Sequence, residues 1–147
     1  MKIARFEDIE ARQEARKLVR MVYDVIKKNA QFRRDFRLVG QVKDASVSTM
    51  SNIAEGFARR SNREFIQFLF ISKSSAAEVQ SQFYVALDQG YITKDDFGRI
   101  YDQAEIVSKL DSGFIKYLNS TYENRPKPSQ LNKLNKPNEP NKLNKPK

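Results

Sequence analysis

The sequence predicts an all-α protein: an antiparallel up-down-up-down four-helix bundle over residues 1–122, followed by a disordered tail over residues 123–147. Three observations support this prediction. Apolar residues recur at steps of three and four in four segments of similar length, as they do in amphipathic helices. The connections between these segments are short, which favours antiparallel neighbours. All five prolines lie beyond residue 125, and no segment shows the alternation of a strand.

Local signals mark the ends of the helices. Ser61 and Glu64 have the spacing of a capping box at the start of the third helix. Gly90 tolerates the left-handed conformation that ends many helices, and Thr93 is a suitable cap for the fourth. The predicted helices cover approximately residues 6–30, 35–58, 61–90 and 93–118.

The segment from residue 123 onward is rich in Asn, Lys and Pro and repeats Leu-Asn-Lys. Its bulky apolar residues are Leu131, Leu134 and Leu143, too few to offset the entropy of ordering the chain. It carries seven basic and two acidic residues. We interpret it either as an electrostatic arm or as a passenger produced by expansion of a short coding repeat.

The composition excludes several classes of site. The chain contains no His, Cys or Trp, so Ser-His-Asp triads, Cys-His dyads, thiolate or imidazole metal sites and disulfides are ruled out. Carboxylate, lysine, tyrosine or serine chemistry leaves no spacing signature here. We therefore expect a non-enzymatic protein with no cofactor and no metal. Without a signal peptide or membrane-spanning stretch, it is also expected to be cytoplasmic, with no membrane partner.

Charge is distributed unevenly along the chain, whose net charge is +9. Residues 1–63 carry 15 basic and 8 acidic residues, whereas residues 64–122 carry 5 and 8. This asymmetry favours either a face that binds a polyanion or subunits that meet through surfaces of opposite charge.

Basic residues of the first two helices are candidate phosphate contacts. Arg12, Arg16 and Arg20 lie four residues apart, so we expect them on one helix face. The turn into the third helix also favours anions, because helix N-termini expose N–H groups. The alternative is a solvated face, partly neutralised by nearby carboxylates. The candidate nucleic-acid-binding residues are Arg12, Arg16, Arg20, Lys27, Lys28, Arg33, Arg34, Arg37, Arg59 and Arg63.

The third helix contains more apolar residues than one buried stripe requires. Spaced at about 100° per residue, they point all round the helix. A homo-oligomer interface would cover the second face, and the alternative is a few exposed phenylalanines. The candidate interface residues are Phe65, Ile66, Phe68, Phe70 and Ile71.

A set of polar residues lies on helices that otherwise present apolar stripes. Asn52 and Glu55 form an i, i+3 pair. They could bind a divalent cation together with Glu78, or they could bond to the backbone or to Arg60, with Gly56 allowing close chain approach. We favour the structural interpretation. The structural-motif residues are Asn52, Glu55, Gly56, Arg60, Ser61, Glu64, Ser75 and Glu78.

Several motifs resemble those of one known family. They are Phe-Glu-Asp-Ile at 6–9, Asn-Ile-Ala-Glu-Gly at 52–56 and Gly-Tyr-Ile at 90–92. With this spacing, residues 5–120 resemble the 23S rRNA-intervening sequence proteins, a family of four-helix bundles. The resemblance implies a bacterial homo-oligomer, typically a ring-shaped pentamer, similar to accessory proteins of diversity-generating retroelements, which bind nucleic acid and a reverse transcriptase. Ser72 and Ser74 depart from the small Ala and Gly that are usual in this family.

Two functional hypotheses follow. In the first, the protein is a non-enzymatic homo-oligomer that binds RNA or DNA electrostatically through basic faces of its first two helices. In the second, it is a scaffold that docks a partner protein, and the charge asymmetry serves subunit assembly.

Overall fold

A computed structural model of the chain describes residues 3–123. These residues form an all-α fold without strands, which confirms the predicted fold class. Of the tail predicted over residues 123–147, residue 123 is the last of the final helix, and residues 124–147 lie outside the described residues. A 3-10 turn, Phe6–Asp8, precedes five helices: α1 Glu10–Lys28, α2 Ala30–Arg34, α3 Phe36–Phe57, α4 Asn62–Asp88 and α5 Lys94–Glu123.

The four long helices surround one apolar core. Helix α1 packs against α3 and α5, and α4 packs against the same two helices from the other side. Each long helix contributes fully buried side chains, among them Leu18, Ile53, Leu69 and Val107. This arrangement buries one stripe of each helix, as the apolar periodicity requires.

Paired contacts show how the helices run beside α4. Along α4 and α5, Asn62 contacts Thr121 and Gln80 contacts the backbone of Tyr101. The residue number therefore falls on α5 as it rises on α4, which is the pattern of antiparallel neighbours. The up-down-up-down order of the whole bundle stays a prediction.

The first predicted helix is interrupted at both ends. The Asp8 carboxylate accepts hydrogen bonds from the backbone of Ala4 and Arg5, and Ile9 is extended and buried, so α1 begins only after it. At the other end Asn29 is extended, and its side chain accepts a 2.9 Å bond from the Phe32 N–H. Short polar side chains that bond to the local backbone compete with helix continuation in this way. The expected connection between the first two long helices is therefore a short helix, α2.

The predicted caps of α4 and α5 are present. Ser61 Oγ accepts from the Glu64 N–H at 3.2 Å and donates to the Glu64 carboxylate at 2.9 Å. Thr93 Oγ1 accepts from the Asp96 N–H at 3.1 Å. Gly90 follows the end of α4 with φ of 72°, and this left-handed conformation turns the chain toward α5.

None of the helices within residues 3–123 combines the length and the hydropathy that a membrane crossing needs.

Candidate nucleic-acid interface

The solvent face of α1 is basic. Arg16, Arg20 and Lys27 are all exposed on it. Arg16 and Lys27 are eleven positions apart, which corresponds to about 16 Å along the helix. Lys28, also exposed, lies beside them, with its Nζ 3.9 Å from the Asp96 carboxylate. Arg16, Arg20 and Lys27 form a row along the outside of the bundle, and Lys28 lies about 100° around the helix from Lys27.

Arg12 does not share this row. It is half-buried, and its guanidinium lies over the Phe6 ring, 5.1 Å from the centroid. Each four-residue step on an α-helix advances the side chain by about 40°, so Arg12 is displaced by about 80° from Arg20. Arg12, Arg16 and Arg20 thus lie within an arc of about 80° on α1, with the half-buried Arg12 at the edge of that arc.

The second basic group lies where α1 ends, around α2 and the start of α3. We call this group the basic corner. All of its members have exposed side chains. The basic corner consists of Lys27, Lys28, Arg33, Arg34 and Arg37.

Buried contacts fix the conformation of the basic corner. Phe32 is fully buried, stacks on Tyr91 with a centroid distance of 5.2 Å and meets the edge of Phe83 at 6.2 Å. Asp35 ends α2 and caps α3, since its Oδ1 accepts from the Leu38 N–H at 3.2 Å. The corner is therefore anchored to the core through α2 and to α4–α5 through Tyr91.

Asp35, the acidic residue between Arg34 and Arg37 in the sequence, is already engaged by neutral donors. The Tyr91 hydroxyl donates to Asp35 Oδ2 at 3.0 Å, and this hydrogen bond to Asp35 raises the pKa of Tyr91. Arg33 Nη1 donates to the Lys27 carbonyl oxygen. Within residues 3–123, no ion pair involves Arg33, Arg34 or Arg37. The positive charge of these three residues is thus available to an external anion.

Arg59 and Arg63 lie at the other end of α3. Arg59 pairs with Glu55 at 2.9 Å and lies over the Phe68 ring, 4.9 Å from the centroid, whereas Arg63 is exposed. Helix α3 has 22 residues and is about 33 Å long, so these arginines are separated from the basic corner. The ten candidate residues therefore do not form one patch.

The polar motif joins α3 to α4. Asn52 Nδ2 donates to the Ser48 carbonyl and hydroxyl oxygens, both at 2.8 Å, and Ser48 Oγ bonds to Ser75 Oγ at 2.8 Å. A Cβ atom on Gly56 would lie 2.6 Å from Phe65 Cδ2, so glycine permits the close approach of the two helices there.

The charged residues of this motif act separately. Glu55 pairs with Arg59 and not with Arg60, because the i, i+4 spacing brings Arg59 to it. Arg60 and Glu78 are exposed. No group of three or more carboxylates that could hold a metal ion occurs within residues 3–123.

The apolar residues of α4 divide between the core and the surface. Phe65 is buried between Phe57 and Phe114, so its assignment to an oligomer interface is wrong: the chain's own helices cover it. Ile66 and Phe68 are half-buried, Ile66 against the core and Phe68 beneath Arg59. The residues that stay exposed are Phe70 and Ile71, with Tyr84 and Val85 about four turns further along the same helix.

A buried carboxyl group that the sequence did not reveal lies between α4 and α5. Asp111 is fully buried, and its Oδ2 accepts a 2.6 Å hydrogen bond from Ser72 Oγ, while its Oδ1 has no partner. Burial raises the pKa of Asp111 to about 7, against the lowering effects of the Ser72 bond and of Lys73. Ser72, one of the two departures from the resembled family, is therefore the partner of this acid.

Sequence reasoning also missed Phe36. This residue is the first of α3, and its side chain is 82% exposed. The signal was present as an aromatic residue within Arg33-Arg34-Asp35-Phe36-Arg37, because basic residues interleaved with an aromatic one are typical of nucleic-acid-binding surfaces.

Comparison with models of known protein families identifies the family of this chain. The family model described as 23S rRNA-intervening sequence protein matches residues 7–113. The chain belongs to this family. Among solved structures, the chain is similar to a protein of unknown function from the S23 ribosomal protein family of Bacteroides thetaiotaomicron. The two share 21% identity with a TM-score of 0.67, over 72% of this chain and 98% of the other. No curated protein matches the chain.

Proposed function

We propose that the protein is a non-enzymatic homo-oligomer that binds RNA or DNA electrostatically, through the solvent face of α1 and the basic corner. The observation that carries the proposal is the set of exposed cations in the corner, together with the engagement of Asp35 by Tyr91 and the α3 backbone. Phosphate oxygens are the natural partners of such arginines, because the guanidinium group matches their geometry. This narrows the ten candidate residues of the sequence hypothesis to the exposed cations of α1 and of the basic corner, and leaves out Arg12, Arg59 and Arg63.

The proposed contacts are with the backbone and not with bases of a defined sequence. Each phosphate neutralised on duplex releases counterions and contributes about −0.9 to the slope of log K against log salt. Binding should therefore weaken steeply as salt is raised, with little dependence on sequence.

The test is a salt series of binding measurements with a labelled duplex, by fluorescence anisotropy. The variant Arg20→Gln/Arg34→Gln/Arg37→Gln should flatten the slope by up to about 3, because at most three phosphate contacts are lost. A matched control is Lys94→Gln/Lys109→Gln/Lys116→Gln, which removes the same charge from exposed positions on α5. The control should keep most of the slope.

Two results would contradict the proposal. If the wild-type protein binds neither the duplex nor a single strand at about 50 mM salt, where electrostatic binding is strong, nucleic acid is not its ligand. If both triple variants lose the same slope, binding depends on net charge and not on these surfaces.

A scaffold that docks a partner protein is the second candidate. It is favoured by the exposed apolar residues of α4, Phe70, Ile71, Tyr84 and Val85, which have the composition of a protein contact and not of a phosphate contact. The same face supports homo-oligomerisation in the first proposal.

A further inference from the structure

Phe36 and Phe32 lie four positions apart and are placed in opposite environments. Phe32 is fully buried, whereas Phe36 is 82% exposed. Asp35, with φ of −80° and ψ of 75°, breaks the helix between them. The phenyl ring of Phe36 is thereby presented to solvent from a segment whose own position is fixed by Phe32 and by the Asp35 cap.

The surroundings of this ring are cationic. Arg33, Arg34 and Arg37 lie within three positions of it, all of them exposed. In the described part of the chain, arginines cover the rings of Phe6 and Phe68, but none lies over Phe36. The positive charge and the uncovered ring therefore both point to a ligand that carries phosphates beside a planar apolar group.

We propose that the Phe36 ring stacks an unpaired base of RNA or DNA while Arg33, Arg34 and Arg37 contact the neighbouring phosphates. Aromatic side chains stack bases of single strands, loops and bulges, whereas the bases of a duplex are already stacked on one another. This inference rests on the proposed nucleic-acid binding and deepens it by naming unpaired nucleotides as the preferred substrate. A contact between protein molecules at this surface is the alternative, and the solution mass of the Phe36 variant below separates it from stacking.

The test compares binding of a single-stranded 20-nucleotide RNA or DNA and of the matching blunt duplex, by fluorescence anisotropy. Phe36→Ala should weaken single-strand binding between about fivefold and about a hundredfold, the range observed for loss of one stacked base, and should change duplex binding less than about twofold. Phe36→Tyr should retain single-strand binding. Since Phe36 is exposed, the alanine variant should keep the fold, which circular dichroism checks. Running RNA and DNA in parallel shows whether the 2′-hydroxyl contributes.

Tyr117→Ala is the matched control. Tyr117 is an aromatic residue that is 60% exposed, and it lies on α5 away from the basic corner. Its replacement should leave single-strand binding unchanged. A direct readout is photocrosslinking of a strand that contains 5-iodouracil, followed by mass spectrometry, which should identify the peptide with Phe36.

The outcomes separate this inference from the proposed function. A wild-type protein that binds neither strand form overturns both. A protein that binds both forms, and in which Phe36→Ala weakens both equally or neither, overturns only the stacking inference. A change in solution mass of Phe36→Ala with unaltered strand preference also overturns it, because Phe36 would then be a contact between protein molecules.

Discussion

The two side-chain oxygens of Asp111 lie in different environments: one accepts a hydrogen bond from Ser72, and the other has no partner. Its pKa is raised from 3.8 to about 7, mainly by burial. The folded state therefore binds this proton more tightly than the unfolded state does. The resulting stability is fully present below pH 3.8 and is lost as the pH rises through about 7.

From pH 5.5 to pH 8.5 we therefore expect the free energy of unfolding to fall by about 2 kcal/mol through this group. Asp111→Asn should remove that component, because the amide does not ionise and can keep a hydrogen bond to Ser72. Asp102→Asn, an exposed acid on the same helix, is the control and should retain the fall. Urea denaturation at both pH values measures all three proteins. Equal pH dependence of the wild type and Asp111→Asn would contradict the assignment.

Gly56 permits a second prediction at the scale of the residue. A Cβ atom there would lie 2.6 Å from Phe65 and 2.8 Å from Phe68, so Gly56→Ala should force α3 and α4 apart and destabilise the fold by about 1 to 3 kcal/mol. At Gly40, in the same helix, an added Cβ meets nothing within 4 Å. Gly40→Ala should instead stabilise the protein by about 0.5 to 1 kcal/mol, because alanine loses less entropy in a helix. Thermal or urea denaturation distinguishes the two signs.

The individual side chains also show where sequence reasoning reached its limit. Asn52 was correctly assigned a bond to the backbone, since that bond is local and follows from helix spacing. The environment of Asp111 was beyond the sequence, because Ser72 is 39 positions away and no local pattern identifies a partner on another helix. Arg12 has the spacing of Arg16 and Arg20, but the sequence did not reveal that its guanidinium is half-buried over the Phe6 ring.

At the scale of the element, the junction of α2 and α3 depends on Asp35. Asp35→Ala removes both the cap of α3 and the acceptor of the Tyr91 hydroxyl. We expect a loss of about 1 to 2 kcal/mol in the free energy of unfolding. Asp35→Asn should lose less, because asparagine is also a good cap. Denaturation monitored by circular dichroism tests the expected order of stability, which falls from the wild type to Asp35→Asn to Asp35→Ala. Equal stability of the alanine variant and the wild type would contradict this prediction.

Helix ends were predictable where the residue that caps the helix lies next to that end in the sequence. Ser61, Thr93 and Gly90 each act within a few residues of the chain, and each was found. The break after α1 was predicted at about residue 30, close to its position at Asn29, but the short helix α2 that follows it was missed. The basic corner, which depends on this short helix, was therefore predicted only as scattered cations.

At the scale of the whole molecule, the exposed apolar face of α4 predicts self-association. Phe70, Ile71 and Val85 on this helix are 52%, 46% and 46% exposed, and exposed apolar patches mark contact surfaces. Light scattering should give a multiple of the 17.1 kDa chain mass. Ile71→Lys/Val85→Lys should reduce that mass, because a buried charge without a partner is strongly unfavourable.

Ile106→Lys provides the control for this prediction. Ile106 is a comparably exposed apolar residue, but it lies on α5. Its replacement should leave the mass unchanged, and a monomeric wild-type protein would contradict self-association altogether. The sequence overestimated this surface, because periodicity shows that a side chain is apolar but not whether its own chain covers it, as happens at Phe65.

The polar contacts of α4 determine its alignment within the bundle. Apolar side chains pack almost as well after a helix slides by one turn, about 5.4 Å, since similar residues then face each other. The bonds of Ser75 to Ser48 and of Ser72 to Asp111 do not tolerate such slippage, because each would leave a buried polar group without its partner. Two short bonds on neighbouring turns of α4 thus select one alignment of α4 against both α3 and α5. This alignment also sets the distance between the basic corner at one end of the bundle and the turn between α3 and α4 at the other.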